Sequence, residues 1–188
     1  THYVRPGSII EREAQERATS VYLVDRTIPM LPEHLSNGIC SLRPDEDKLT
    51  YSVLFHMNDK AEVKHYEIAK TVTRSVRRFT YEEAQTVIET GEGDYRDEIL
   101  ELDRLAKILR ANRFAAGAIA FDRVEVRFDI DEKGKPVSVF FKEQKDANKL
   151  IEEFMLLANR TTAKHIGKPG RGQKAKTFVY RIHDLPNP

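Results

Sequence analysis

The sequence predicts an α+β fold in which helices pack against a mainly antiparallel sheet. Three observations carry this. Strand-like stretches occur in adjacent pairs joined by turn chemistry, the pattern of hairpins. Four segments read as helices, with helical periodicity or recognisable start or stop signals. Hairpins and helices also follow one another in blocks and not as regular βαβ units, which favours antiparallel pairing. At 188 residues, with 40% hydrophobic and 32% charged content, the chain suits one domain with a substantial core.

The elements follow in order. Ser8 with Glu11 three residues on is a capping box, and it opens a helix to about Thr19. Val21–Val24 is short and apolar. Leu49–Met57, LTYSVLFHM, is rich in β-branched and aromatic residues and reads as a strand. Asn58-Asp59-Lys60 supplies a turn, and Ala61–Phe79 returns as a second, long strand, bulged or broken in two. Thr80 with Glu83 is another capping box, starting a helix to about Thr90 that Gly91-Glu92-Gly93 ends. From Asp94 to Ala116, Ile99, Leu102, Ala106 and Leu109 fall on one helical face. Val124–Ile130 and Val137–Lys142 are strands around the loop DEKGKP. Asp146–Ile166 is a helix whose apolar stripe is Leu150, Ile151, Phe154, Met155 and Ala158, with Gly167 as the C′ glycine. Thr177–His183 is a last strand.

The segment Asp25–Leu49 fits no regular element. Pro29, Pro32 and Pro44 bar a long helix or an inner strand, yet Ile28, Met30, Leu31, Leu35, Ile39, Cys40 and Leu42 are spread through it. So apolar an irregular segment is expected to lie against a core, with Cys40 as buried packing, and to shape a site; the alternative is a buried connection. As the lone cysteine, Cys40 excludes an internal disulfide and a multi-cysteine zinc site, and suits a reducing cytosol. The net charge of +1 supplies no global field for nucleic acid, so any such site must be a local groove. The longest apolar run, Phe114–Phe121, is too short to span a bilayer. Thr1 is not a start residue and the chain stops at LPNP, so both ends read as cuts.

The runs IPMLP, LSNGICSL and RPDEDKL resemble the second signature block of the RNB (ribonuclease II and ribonuclease R) exoribonucleases, and the ribonuclease R, or VacB-like, branch in particular. The similarity extends to HYVRPGS, TSVYL, FTYEEAQ, GAIAFDRVEVRF, LIEEFMLLAN and FVYRIHDLPNP, and so along the whole chain. It implies that residues 1–188 are a single domain, an internal fragment of the RNB catalytic domain. The parent would be a cytoplasmic enzyme degrading RNA processively and hydrolytically from a single-stranded 3′ end, with Mg2+, to 5′-mononucleotides.

The family's magnesium-binding aspartates precede its HYV segment, and its catalytic arginine and glutamate follow the last strand. The resemblance therefore implies a fragment without catalytic or metal-binding residues, inactive by itself and holding no Mg2+. It implies instead an RNA channel. Tyr22 would stack near the 3′ end, and Phe121 would close the other side of a base stack. Tyr81 and Glu152 would contact the ribose, where a carboxylate can accept a hydrogen bond from a 2′-hydroxyl that DNA lacks. Each has a plainer reading: core packing for the three aromatics, and an ordinary helix-flank carboxylate for Glu152.

Residue chemistry read without the resemblance offers no competing site. Asp45-Glu46-Asp47 and Asp129/Asp131/Glu132 are acidic clusters in turns without a partner cluster. The loop KPGRGQKAK could touch phosphates or be a solvated connection. The six histidines show no metal-binding spacing. The rival functional hypothesis is a stand-alone, non-catalytic RNA-binding module on the same scaffold.

Overall fold

The structure, a computed structural model, describes residues 2–119, 125–168, 170, 172, 174 and 176–179. Two compact units share the chain, each assembled from separated stretches. Unit 1 comprises Thr1–Thr50, Thr71–Phe79 and Phe121–Gln144; unit 2 comprises Tyr51–Lys70, Thr80–Ala120 and Lys145–Pro188.

Unit 1 begins with helix α1, Ile9–Arg17. Ser8 Oγ accepts the Glu11 N–H at 3.2 Å, but the returning Glu11 carboxylate takes the N–H of Gly7, so the expected box is displaced by one residue. Strands β1 (Val21–Tyr22) and β2 (Thr27–Ile28) form an antiparallel pair, Val21 opposite Ile28 and Tyr22 opposite Thr27. The Leu23 N–H donates to the Arg26 carbonyl at 2.8 Å and closes the turn between them. Two further bonds fasten the following chain. Arg17 Nη1 donates to the Pro29 carbonyl at 2.9 Å, and the Met30 N–H donates to Ser20 Oγ at 3.0 Å.

The proline-spaced segment holds one regular piece, a π-helical turn at His34–Ile39. Its wide winding is recorded by the Cys40 N–H, which donates five residues back to Leu35 O at 2.9 Å. The exposed carbonyls at its end are covered by cations. Arg43 donates to Asn37 O through Nε at 3.0 Å and Nη2 at 2.7 Å, and Lys48 Nζ reaches Gly38 O at 3.2 Å. The expectation of burial is corrected in part here. Met30, Leu31 and Leu35 are half-buried, while Ile28, Ile39, Leu42 and Cys40 are exposed. Successive residues of a helical turn point in different directions, so an apolar run without a period cannot turn every member inward.

Strands β3 (Asp47–Met57) and β4 (Val63–Arg74) form the first long hairpin. At its tip the Asn58 side-chain oxygen accepts the N–H groups of Lys60 and Glu62, a side chain imitating a turn. The second strand stops at Arg74, short of the predicted Phe79. There the Asp45 N–H takes the Ser75 carbonyl at 2.8 Å, and Pro44 bridges Ser75 in parallel sense. Strands β5 (Glu125–Ile130) and β6 (Pro136–Lys142) form a second antiparallel hairpin in unit 1, with a register shift at Asp129/Ile130. Among the described residues the strands make three separate two-stranded sheets. Of the predicted last strand, Thr177–Val179 is irregular, and the remainder lies outside the described residues.

Three helices dominate unit 2: α2 (Tyr81–Thr90), α3 (Arg96–Ala115) and α4 (Asp146–Gly167). All three pairs are in contact. The predicted capping box is complete. Thr80 Oγ1 accepts the Glu83 N–H at 3.1 Å, and Glu83 accepts the Thr80 N–H at 2.7 Å. Gly91, at φ +68°, ends α2 in the left-handed region.

Val87, Ile99, Ala106, Ala147 and Leu150 are buried in these helices, together with the polar Gln85, Asp103 and Glu153. That corrects two predicted faces. On α3 the position taken by Leu102, which is exposed, belongs to Asp103; on α4 Ile151 and Met155 are exposed while Glu153 is buried. Charged residues occupy the interior because each has a partner on hand, as follows. No helix among the described residues is long and apolar enough to cross a membrane.

Candidate nucleic-acid interface

The α3–α4 pair is held as much by charge as by apolar contact. Glu153, 3% exposed, would be costly to bury as a lone carboxylate. Arg113 neutralises it with a fork, Nη2 at 2.5 Å and Nε at 3.1 Å from Oε1, and Arg110 adds a second cation at 3.7 Å. Glu153 holds the Arg113 guanidinium above its ordinary proton affinity, chiefly through these hydrogen bonds. The Phe114 ring lies 4.8 Å from the Arg110 guanidinium and 5.1 Å from that of Arg113, so both cations rest on one aromatic ring.

Two turns nearer the start of α4 the pattern repeats. Asp103, nearly buried, is paired with Lys107 at 2.6 Å, and Lys107 reaches Asp146 at 3.2 Å. The Asp103 hydrogen bond first, then Asp146, raises the Lys107 pKa. Gln85 of α2 completes the frame by accepting the Ala147 N–H at 2.9 Å, one of the unsatisfied donors at the start of α4.

On this frame Glu152 projects with 38% of its side chain exposed, and Arg113 Nη2 stands 3.2 Å from its Oε1. Tyr81 occupies the first turn of α2 in the same unit and is 43% exposed. Helices α3 and α4 also line a cleft of about 320 Å³, bordered among others by Leu109, Asn112, Leu156, Leu157, Arg160 and Lys164. Its lining mixes apolar side chains with the basic Arg113, Arg160 and Lys164 and the acidic Glu153.

Tyr22 lies in unit 1, on the two-residue strand β1, with 79% of its surface exposed. Phe121 lies outside the described residues, as do several residues of the basic loop that begins at Lys168.

The acidic clusters singled out in the sequence serve local structure. Glu46 pairs with Lys48 at 2.6 Å, which lowers its pKa, and Asp47 meets Arg74 at 3.4 Å. Asp131 accepts the N–H groups of Lys133 and Lys135 in the β5–β6 turn, while Asp129 accepts the Ser138 hydroxyl. Among the described residues no three His, Cys, Asp or Glu side chains converge on one point.

The Arg110–Arg113–Glu153 network is what reading the sequence missed. A signal for it was present. Glu153 follows Ala147 and Leu150 at intervals of three, in phase with the inner face of α4, and Arg110 and Arg113 share a face of α3.

The family model described as the RNB domain matches residues 1–188. Ribonuclease R 1 of Lactococcus lactis is 38% identical over 192 residues, which cover 99% of this chain and 23% of that protein. The human exosome complex exonuclease RRP44 is 37% identical over 191 residues, covering 100% of this chain and 20% of its own length. Among solved structures, Mycoplasma genitalium RNase R in complex with ribose-methylated single-stranded RNA superimposes with a TM-score of 0.77 at 28% identity. That match covers 86% of this chain and 26% of the other. The chain thus spans between a fifth and about a quarter of the length of these proteins.

Proposed function

The chain belongs to the RNB-domain family, and from that premise we propose that it is an internal part of the single catalytic domain of a ribonuclease R-like exoribonuclease. The parent degrades RNA hydrolytically and processively from a single-stranded 3′ end to 5′-mononucleotides, uses magnesium, and acts in the cytoplasm. This chain supplies part of the wall that grips the RNA. On the family resemblance, the metal-binding and bond-breaking residues lie before and after this chain. By itself the chain is inactive.

The observation that carries the gripping role is the exposure of Tyr22. A tyrosine ring 79% open to water on a two-residue strand contributes little to a core. Stacked against a base it would contribute roughly 1–3 kcal/mol whatever the base, as an enzyme that must pass every sequence requires. Phe121 is proposed as the ring on the other side of that stack. Tyr81 and Glu152 are proposed to meet the ribose. Glu152 is half-exposed on a helix locked by buried charge, which suits a group that must present an acceptor to a 2′-hydroxyl. A relative solved with single-stranded RNA supports RNA as the partner.

The test uses the full-length parent carrying Tyr22→Ala. The terminal oligonucleotide should change in length while the initial rate of degradation changes less. An end product identical to that of the unmodified enzyme would reduce Tyr22 to a packing residue.

A further inference from the structure

We propose that Arg113 is the positioning residue for the ribose-reading carboxylate of Glu152, and that buried Glu153 is what fixes Arg113 in place. This rests on the reading of Glu152 given above. A glutamate on a helix flank rotates among many rotamers, and a freely rotating carboxylate discriminates poorly between a ribose and a deoxyribose. Here the rotation is checked. Arg113 Nη2 lies 3.2 Å from Glu152 Oε1 and 2.5 Å from Glu153 Oε1, so one guanidinium nitrogen bridges the two carboxylates.

That nitrogen cannot follow Glu152 outward. The Arg113 Nε holds both oxygens of Glu153, at 3.1 and 3.2 Å, and Glu153 is 3% exposed. The guanidinium plane also rests 5.1 Å from the Phe114 ring centre. A rigid fork of this kind is something lysine cannot reproduce. Among the described residues Arg113 is the group that pairs with Glu152, through Oε1, and the proposal assigns Oε2 as the acceptor for the ribose. Glu152 touches the substrate; Arg113 acts through it.

The experiment uses the full-length enzyme and two probes, an all-ribose oligonucleotide and the same strand with single 2′-deoxy substitutions near its 3′ end. The readout is the ratio of kcat/KM for the two. Arg113→Lys keeps a cation beside Glu153 and loses the fork; it should lower the ratio by about tenfold, the worth of one charge-assisted hydrogen bond. Glu153→Gln, which loosens Arg113 from the other side without emptying the site, should lower it in the same direction. In a Glu152→Ala background neither change should move the ratio further. Equal slowing of both probes by Arg113→Lys and Glu153→Gln, with the ratio of the parent retained, overturns the proposal. If Glu152→Ala lowers the ratio in that case, the ribose reading survives alone. If Glu152→Ala itself leaves the ratio unchanged, both fall together.

Discussion

Arg113→Met isolates the energetics of the buried charge. The substitution keeps a long apolar stem and removes the fork, leaving a 3%-exposed Glu153 with Arg110 at 3.7 Å as its remaining cation among the described residues. Breaking a buried ion pair by deleting one partner typically costs about 3–5 kcal/mol. Arg113 keeps 21% of its side chain in water and a second cation remains, so the value here falls to about 2–3 kcal/mol. The effect is local to α3 and α4. The suitable assay is amide hydrogen exchange in the full-length enzyme, resolved to those helices. Backbone amides there should exchange about 30- to 150-fold faster. The double variant Arg113→Met/Glu153→Met replaces charge by packing on both sides and should return to within about 1 kcal/mol of the parent. Acceleration of less than about threefold in the single variant would mean that Glu153 is hydrated in solution, and the reasoning from burial would fail.

Three further outcomes can be checked. The Lys107 pKa is raised by Asp103 and Asp146; a raised folded value means that its stabilising contribution is fully present below the unfolded value of 10.5 and is lost as pH rises through the folded one. Melting followed by circular dichroism should therefore show an alkaline loss of stability above about pH 10.5 that is smaller in Lys107→Met; identical alkaline profiles would remove Lys107 from the account. Gly93→Ala meets two obstacles, φ +128° and a Cβ position 2.9 Å from Val87 Cγ2, and should destabilise the α2–α3 corner by about 1–3 kcal/mol in chemical denaturation. Thr80→Ala deletes the helix cap and should cost about 1 kcal/mol, with Thr80→Ser close to neutral in the same measurement.

Where the sequence carried its own local chemistry, it was read well. Thr80 and Glu83 fixed the start of α2 to the residue, and the Asn58 turn located the tip of the first hairpin, because both signals act over three or four positions. The α+β class followed from the same local patterns and holds in the structure. What local chemistry could not convey was pairing over distance. Glu153 and Asp103 look like surface residues until Arg113, forty positions from Glu153, and Lys107 are placed beside them. The division of the strands into three pairs likewise depends on which edges meet, as where Ser75 crosses to Pro44 and ends β4 early. Cys40 was misjudged because composition reveals an apolar run but not how a π-helical turn distributes it. Of the candidate site residues, Tyr81 and Glu152 were located on their helices from sequence, while the arginine lattice under Glu152 was not.

The interleaving of the two units bears on how the chain is made. Unit 1 draws on residues as late as Gln144, and unit 2 opens at Tyr51 but needs Lys145 and the helix beyond it. A ribosome must therefore extrude most of this stretch before either unit can close, and during that interval α2 and α3 lack the helix, α4, that packs on both. Long-range closure of this kind is slow and leaves apolar helix faces exposed to other nascent chains. Chaperone engagement during that interval would protect the chain from association.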